Sequence, residues 1–74
     1  MKCTVRLIWD AEAGVWLGMS DDIPGLVLES NSIEVLMERI KWEAPEFLET
    51  NCNYCGPAQL TFIMEHVVML EEAV

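Results

Sequence analysis

In the first thirty positions of the chain, apolar residues recur at every second residue. Between Lys2 and Trp9, Cys3, Val5, Leu7 and Trp9 fall on one face, and Lys2, Thr4, Arg6 and Ile8 fall on the other. That is the period of a strand with one buried face. The polar break Asp10-Ala11-Glu12-Ala13-Gly14 follows, with Gly14 suited to the positive φ that closes a hairpin, and Val15 to Ser20 predicts a second strand. Asp21-Asp22-Ile23-Pro24-Gly25 then sets Pro-Gly at the two central positions of a type II turn. Leu26 to Glu29 predicts a third strand, giving an antiparallel meander.

From residue 33 the period changes to 3.6. Ile33, Leu36, Met37, Ile40, Ala44, Phe47 and Leu48 recur at helical spacing, and Asn31 with Glu34 resembles a capping box. Pro45 lies inside this pattern without a backbone N–H to donate, which predicts a kink, or a stop and restart, near Glu43-Ala44. Residues 51 to 58 are turn-rich, and Gln59 to Leu70 predicts a fourth strand with an acidic end beyond it. The order β-β-β-α-β specifies an α+β fold of two layers, one helix packed on a sheet. Without repeats, low-complexity tracts or linkers, residues 1–74 are expected to form a single domain.

Charge narrows the function classes. Thirteen Asp and Glu against four Lys and Arg give a net charge of −9. This opposes the counterion release that drives binding to phosphate backbones, so direct nucleic-acid binding is not expected. A field of one sign steers encounters with the other, which makes a small basic protein the natural partner class. The opening residues do not form a signal peptide, since Arg6 interrupts a short apolar run that ends at Asp10. No apolar stretch approaches the roughly 20 residues that span a bilayer. A soluble cytoplasmic protein with no membrane partner is expected, its three cysteines present as thiols or ligands. A chain this short buries only about 60% of its unfolded surface, which favours completion by self-association as a homodimer. Trp16, and Trp42 seven residues after Val35, lie off the main apolar stripe. Trp42 reads either as an interface aromatic or as a lid folded over the core.

The candidate chemistry is sparse. Asp10, Glu12, Asp21 and Asp22 could be a carboxylate cluster for Mg²⁺, but Asp also serves turns by local hydrogen bonding, and the first and last of these fall near opposite ends of the second strand. Cys52-Asn53-Tyr54-Cys55 is a C-x-x-C, the spacing at which two thiolates chelate one tetrahedral ion. Completing such a site would require Cys3 and His66, or a second chain, and plain thiols are the simpler reading. His66 has no serine in a nucleophile-elbow context to serve. Neither catalysis nor a cofactor is expected.

Trp9-Asp10-Ala11-Glu12-Ala13-Gly14-Val15-Trp16, Ser20-Asp21-Asp22-Ile23-Pro24-Gly25-Leu26-Val27-Leu28-Glu29 and the helix ending Ala44-Pro45-Glu46-Phe47-Leu48-Glu49-Thr50-Asn51 resemble the HicB-like antitoxin family. The resemblance covers roughly residues 4 to 51 and is nearest the family's small, uncharacterised single-domain bacterial branch. It implies a partial RNase H-like sheet without RNase H catalysis. It also implies an antitoxin-like, non-catalytic interaction domain that blocks a small basic ribonuclease toxin of the HicA type. The C-terminal DNA-binding module of typical HicB antitoxins has no counterpart in the pattern, so DNA-binding autoregulation is not carried over. Glu12, Asp21, Asp22 and Glu29 fall on the matching turns and strand and, with Trp42, are the candidate partner contacts. The alternative is a self-associating structural domain with no toxin partner.

Overall fold

Cys3, Val5 and Leu7, the inward positions of the first strand, are at most 1% exposed in the computed structural model, which describes residues 1–71. They belong to β1 (Lys2–Asp10), followed by β2 (Val15–Met19), β3 (Val27–Ser30), α1 (Ile33–Cys52) and β4 (Gln59–Glu65). The strands form one sheet in the order β3-β2-β1-β4. The meander is antiparallel, whereas β4 returns through the helical crossover to lie parallel to β1. The expected two-layer β-β-β-α-β fold is therefore the observed one.

Both predicted turns form. In the first, the Gly14 N–H (φ 67°) donates to the Asp10 carbonyl at 2.8 Å, while Asp10 Oδ1 accepts the Glu12 and Ala13 N–H groups at 3.1 and 3.3 Å. In the second, the Leu26 N–H donates to the Ile23 carbonyl at 3.1 Å and Gly25 takes φ 86°, the left-handed conformation required at the third position of a type II turn. Ile23 and Leu26 flank this turn and are 0% and 1% exposed, so it is folded into the core. Asn51 Nδ2 donates to the Pro24 carbonyl at 2.7 Å and ties the C-terminal end of α1 to the same turn.

The helix departs from expectation at its start, and of the two outcomes expected at Pro45 it does not show the stop and restart. Its N-cap is Ser32, one residue after the predicted Asn31: Ser32 has extended backbone and its Oγ accepts the Val35 N–H at 3.3 Å. Glu34 therefore lies at the second helical position, out of register for a capping box, and contributes only its charge beside the helix N-terminus. The helix neither stops nor restarts at Pro45 but runs continuously for 20 residues. Pro45 is exposed, and water can reach the Lys41 carbonyl that it leaves without an i+4 donor. The C-terminal end closes at Asn53, in the left-handed conformation (φ 51°), and the Tyr54 N–H reaches the Leu48 carbonyl at 3.1 Å.

Leu36, Ile40, Ala44 and Leu48 form the buried stripe of α1 and complete a core with Cys3, Val5, Leu7, Ile23 and Leu26. The helix packs mainly over β2 and β3. Gly18 permits this seating: a Cβ there would stand 2.6 Å from Ile40 Cδ1 and 3.5 Å from both Leu36 methyls. Displaced to that side, the helix leaves the inner face of β4 thinly covered, with Leu60 and Phe62 half-buried and Met64 61% exposed.

β4 ends at Glu65, five residues short of the predicted Leu70. Its pairing ends at Ile8 and Glu65, two residues before β1 itself ends at Asp10, and beyond Asp10 no β1 residue remains in register for Val68, Met69 and Leu70. His66 leaves the strand with its ring against Trp9 and Trp16, centroids 5.9 and 5.8 Å apart, beside the cross-strand Trp9–Trp16 pair at 5.3 Å. Val67, Val68, Met69 and Leu70 follow at 82%, 65%, 85% and 88% exposure. Of the acidic end expected beyond them, Glu71 is exposed and Glu72 lies outside the described residues.

On the outer face of the sheet Arg6 clasps Glu65 with two hydrogen bonds of 2.8 and 3.1 Å. That pairing holds the Glu65 carboxyl below its usual range and raises the Arg6 guanidinium. Because the folded value is the lower one, the stabilisation is complete above the ordinary carboxylate pKa and lost as pH falls through the depressed one. The stability difference between the native chain and Glu65→Gln should therefore be largest near neutral pH and shrink on acidification in urea titrations. A difference that is constant with pH would show that the ion pair contributes nothing.

At Gly18, Gly18→Ala should cost about 1–3 kcal/mol by overpacking, and Ile40→Val about 0.5–1.5 kcal/mol. Ile40→Val removes the methyl that the new Cβ would meet, so the double variant should lose clearly less than the sum when measured by urea unfolding. Strict additivity would contradict the close approach.

Candidate protein-interaction surfaces

The residues singled out in the sequence do not converge on one site. Glu12 lies in the β1–β2 turn, beyond the Asp10–Val15 pair. Asp21 and Asp22 occupy the β2–β3 loop, where Asp22 Oδ2 accepts the Thr4 N–H at 2.7 Å. Thr4 and Asp10 are six residues apart on β1, about 20 Å at strand rise, so the Glu12 and Asp21-Asp22 groups occupy opposite ends of the sheet. Glu29, opposite Leu17 on β3, lies on the outer sheet face, whereas Trp42 lies on the solvent side of α1 in the other layer. The same separation prevents Asp10, Glu12, Asp21 and Asp22 from sharing an ion.

The histidine is also apart from the cysteines. Cys3 is buried near the start of β1, and Cys52 and Cys55 are exposed where α1 runs into the loop before β4. His66 instead stacks on Trp9, six residues along β1 from Cys3, or about 20 Å. The four candidate ligands Cys3, Cys52, Cys55 and His66 are therefore not gathered, and the described residues contain no group of three or more side chains placed to hold a metal ion. Burial, with Asp22 adding to it, pushes the Cys3 thiol up. Its environment is that of an inert core thiol.

Two surfaces stand out, and the charge pattern explains the first. Three of the four cations are already committed: Arg6 to Glu65, Arg39 to Glu43 at 3.5 Å, and Lys41 to Glu38 at 2.8 Å. Arg39 also donates to the Glu29 carbonyl at 3.1 Å. Most of the acidic charge is left uncompensated by local partners. Along the solvent face of α1 an apolar centre, with Trp42 80% and Val35 51% exposed, lies among Glu34, Glu38, Arg39 and Glu43, where Glu38 and Glu43 are the carboxylates paired with Lys41 and Arg39. Trp42 is therefore not a lid over the core. An exposed aromatic ringed by charge has the anatomy of an interface: an apolar centre and a polar rim.

The second surface is the far side of the sheet, which no helix covers. Ile8, Leu17 and Met19 are half-buried there, and Val27 and Ile63 are 64% and 46% exposed. The alternation in β1 marks its face toward the helix; the apolar outer face of β2 was missed, although Val15, Leu17 and Met19 in alternation carry its signal.

Comparison with known proteins gives a consistent picture. The family model "Domain of unknown function (DUF1902)" matches residues 2–70. Among solved structures, a hypothetical protein from the extremely thermophilic bacterium Thermus thermophilus is 34% identical, with a TM-score of 0.79, and the match covers 95% of this chain and 100% of that one. No protein of curated function matches. Among the described residues, no helix is long and apolar enough to cross a membrane.

For the thiols, Cys52 and Cys55 should react quickly with a water-soluble maleimide in native protein, and Cys3 only as the chain unfolds. Replacing Cys52 and Cys55 together by Ser should change stability by no more than about 0.5 kcal/mol, as is usual for exposed positions. A large loss accompanied by release of stoichiometric zinc would show instead that these thiols ligate a metal.

Proposed function

The chain belongs to the DUF1902 family, and from that premise we propose that it is a non-catalytic, antitoxin-like interaction domain whose acidic surface occupies a small basic ribonuclease in the cytoplasm. The observation that carries this reading is the helix face on which Trp42 and Val35 stand exposed among Glu34, Glu38 and Glu43, in a chain of net charge −9. A ribonuclease presents cations to RNA, and an acidic domain competes for that surface by matching its potential. The HicB-like pattern of residues 4 to 51 supports the same partner class. Inhibition follows from occupying the RNA-binding surface, a task that needs no reacting group. The acidity that favours such a partner also disfavours direct contact with nucleic acid.

Of the candidate contacts, Trp42 is best placed to anchor the interface, since buried aromatics dominate binding energies. Asp21, Glu12 and Glu29 act at longer range, by steering. Asp22 has a structural task in holding the Thr4 N–H, so its replacement would change the fold locally as well as the field. A second reading, a self-associating structural domain with no toxin partner, is favoured by the uncovered outer sheet face around Val27 and Ile63.

The test is binding and inhibition with a small basic HicA-type ribonuclease encoded beside this gene. RNA cleavage should fall as the chain is added, and binding should weaken steeply with salt, because exposed charges are screened beyond about 10 Å at 0.1 M. Trp42→Ala should weaken affinity by about 2 kcal/mol, roughly 30-fold. Asp21→Lys should slow association while leaving the circular dichroism spectrum unchanged. Absence of binding and of inhibition would leave self-association as the surviving reading.

A further inference from the structure

We propose that residues 67–70 are a strand segment completed by a second copy of this chain, each copy laying its Val67-Val68-Met69-Leu70 along the free edge of the other's β4 in an antiparallel, two-fold arrangement. Four observations lead there. β4 pairs with β1 on one side only and is an outer strand of the sheet. The segment after it is composed of residues that favour strands, yet it is 65–88% exposed: its pairing with β1 ends at Glu65, and β1 ends opposite Val67, so residues 68–70 have no β1 partner.

His66, held against Trp9 and Trp16, fixes where that segment leaves the sheet. Finally, residues 59–70 carry a single carboxylate, Glu65, which is already clasped by Arg6, although the whole chain has a net charge of −9. Edge strands are ordinarily guarded by unpaired charges, prolines or bulges, and this edge has no such charge or proline.

A second copy is the occupant that these features select. One chain supplies both an unpaired edge and an unpaired strand segment, and a two-fold axis satisfies both twice over with one self-complementary contact. It also places two highly acidic molecules together along their least charged border, away from the helix faces that would repel. By strand alternation, Val68 and Leu70 share the face of Leu60, Phe62 and Met64. In the pair they would lie beside the partner's Met64 and the shallow groove of about 230 Å³ that Ala44, Pro45, Leu48 and Leu60 help to line. The proposal does not depend on the ribonuclease reading, whose surface lies on the other side of α1.

The experiment is sedimentation velocity of the full chain across the micromolar range, with hydrogen exchange at the same concentrations. The native chain should sediment as a dimer, and the amides of residues 67–70 should be protected in the dimer and lose protection on dilution. In Val67→Pro/Val68→Pro one of two successive N–H groups must face the partner, so the ladder is broken whichever it is, and the dissociation constant should rise at least about tenfold. Both positions are exposed in the single chain, so near-ultraviolet circular dichroism of the monomer should be unchanged. Trp42→Glu, on the opposite side of the helix, should dimerise as the native chain does. A monomer at every concentration, a dimer unaffected by the two prolines, or protection of residues 67–70 that persists in the monomer would each overturn the proposal, the last by showing that the segment docks on its own chain.

Discussion

The seating of Ile40 against Gly18 governs how this small chain distributes its one helix over four strands. A Cβ at position 18 would come within 2.6 Å of Ile40 Cδ1, so any side chain there would force the Ile40 methyl aside or α1 away from the sheet. With hydrogen there, the helix drops onto β2 and β3 and buries Leu36, Ile40, Ala44 and Leu48 against Val5, Leu7, Ile23 and Leu26. Four strands span roughly 14 Å at about 4.8 Å spacing, while a helix with its side chains is about 10–12 Å across. A helix drawn to one side therefore cannot also cover the far strand. The open inner face of β4 and the wholly open outer face both follow from this single economy of layers.

Electrostatics completes what packing leaves undone. The chain has few cations, and the structure commits Arg6, Arg39 and Lys41 to nearby carboxylates. Some carboxylates are likewise absorbed into the backbone: Asp10 closes the first turn and Asp22 holds the Thr4 N–H. The remaining acidic charge is concentrated on the exposed side of α1 and at the sheet ends. The acidic charge is thus spread over α1 and both ends of the sheet, whereas β4 carries one carboxylate, Glu65, which is paired.

The sequence made the strands and turns legible because each rests on a local rule. Alternation at Cys3, Val5 and Leu7 and the Pro24-Gly25 pair needed no knowledge of the fold. Features decided by distant partners were not legible. Asn31 and Ser32 are both competent N-caps, and the first turn's geometry selected Ser32. Pro45 reads as a break, but its exposed position lets water reach the carbonyl it strands, so the helix continues. The role of Gly18 is invisible until Ile40 is placed above it. The candidate contacts suffered most, because turn residues that look equivalent in sequence lie at opposite ends of β1, and His66 lies about 20 Å from the cysteine it was grouped with. Of that set, Trp42 lies in the acidic helix face, where the apolar and charged periodicities of α1 coincide.

At β4, strand preference and strand pairing part company. Val67-Val68-Met69-Leu70 reads as strand by composition, and that preference is not wrong; a strand, unlike a helix, is completed only by hydrogen bonds to another segment. β1 supplies those bonds as far as Glu65 and ends two residues further on, at Asp10, leaving Val68, Met69 and Leu70 without a neighbour in register. The preference therefore outlasts the partner. The helix face around Trp42 and the unpaired β4 edge differ in chemistry, one with charge around an exposed tryptophan and one with free backbone groups and little charge. They lie in different layers of the fold, so occupation of one leaves the other free.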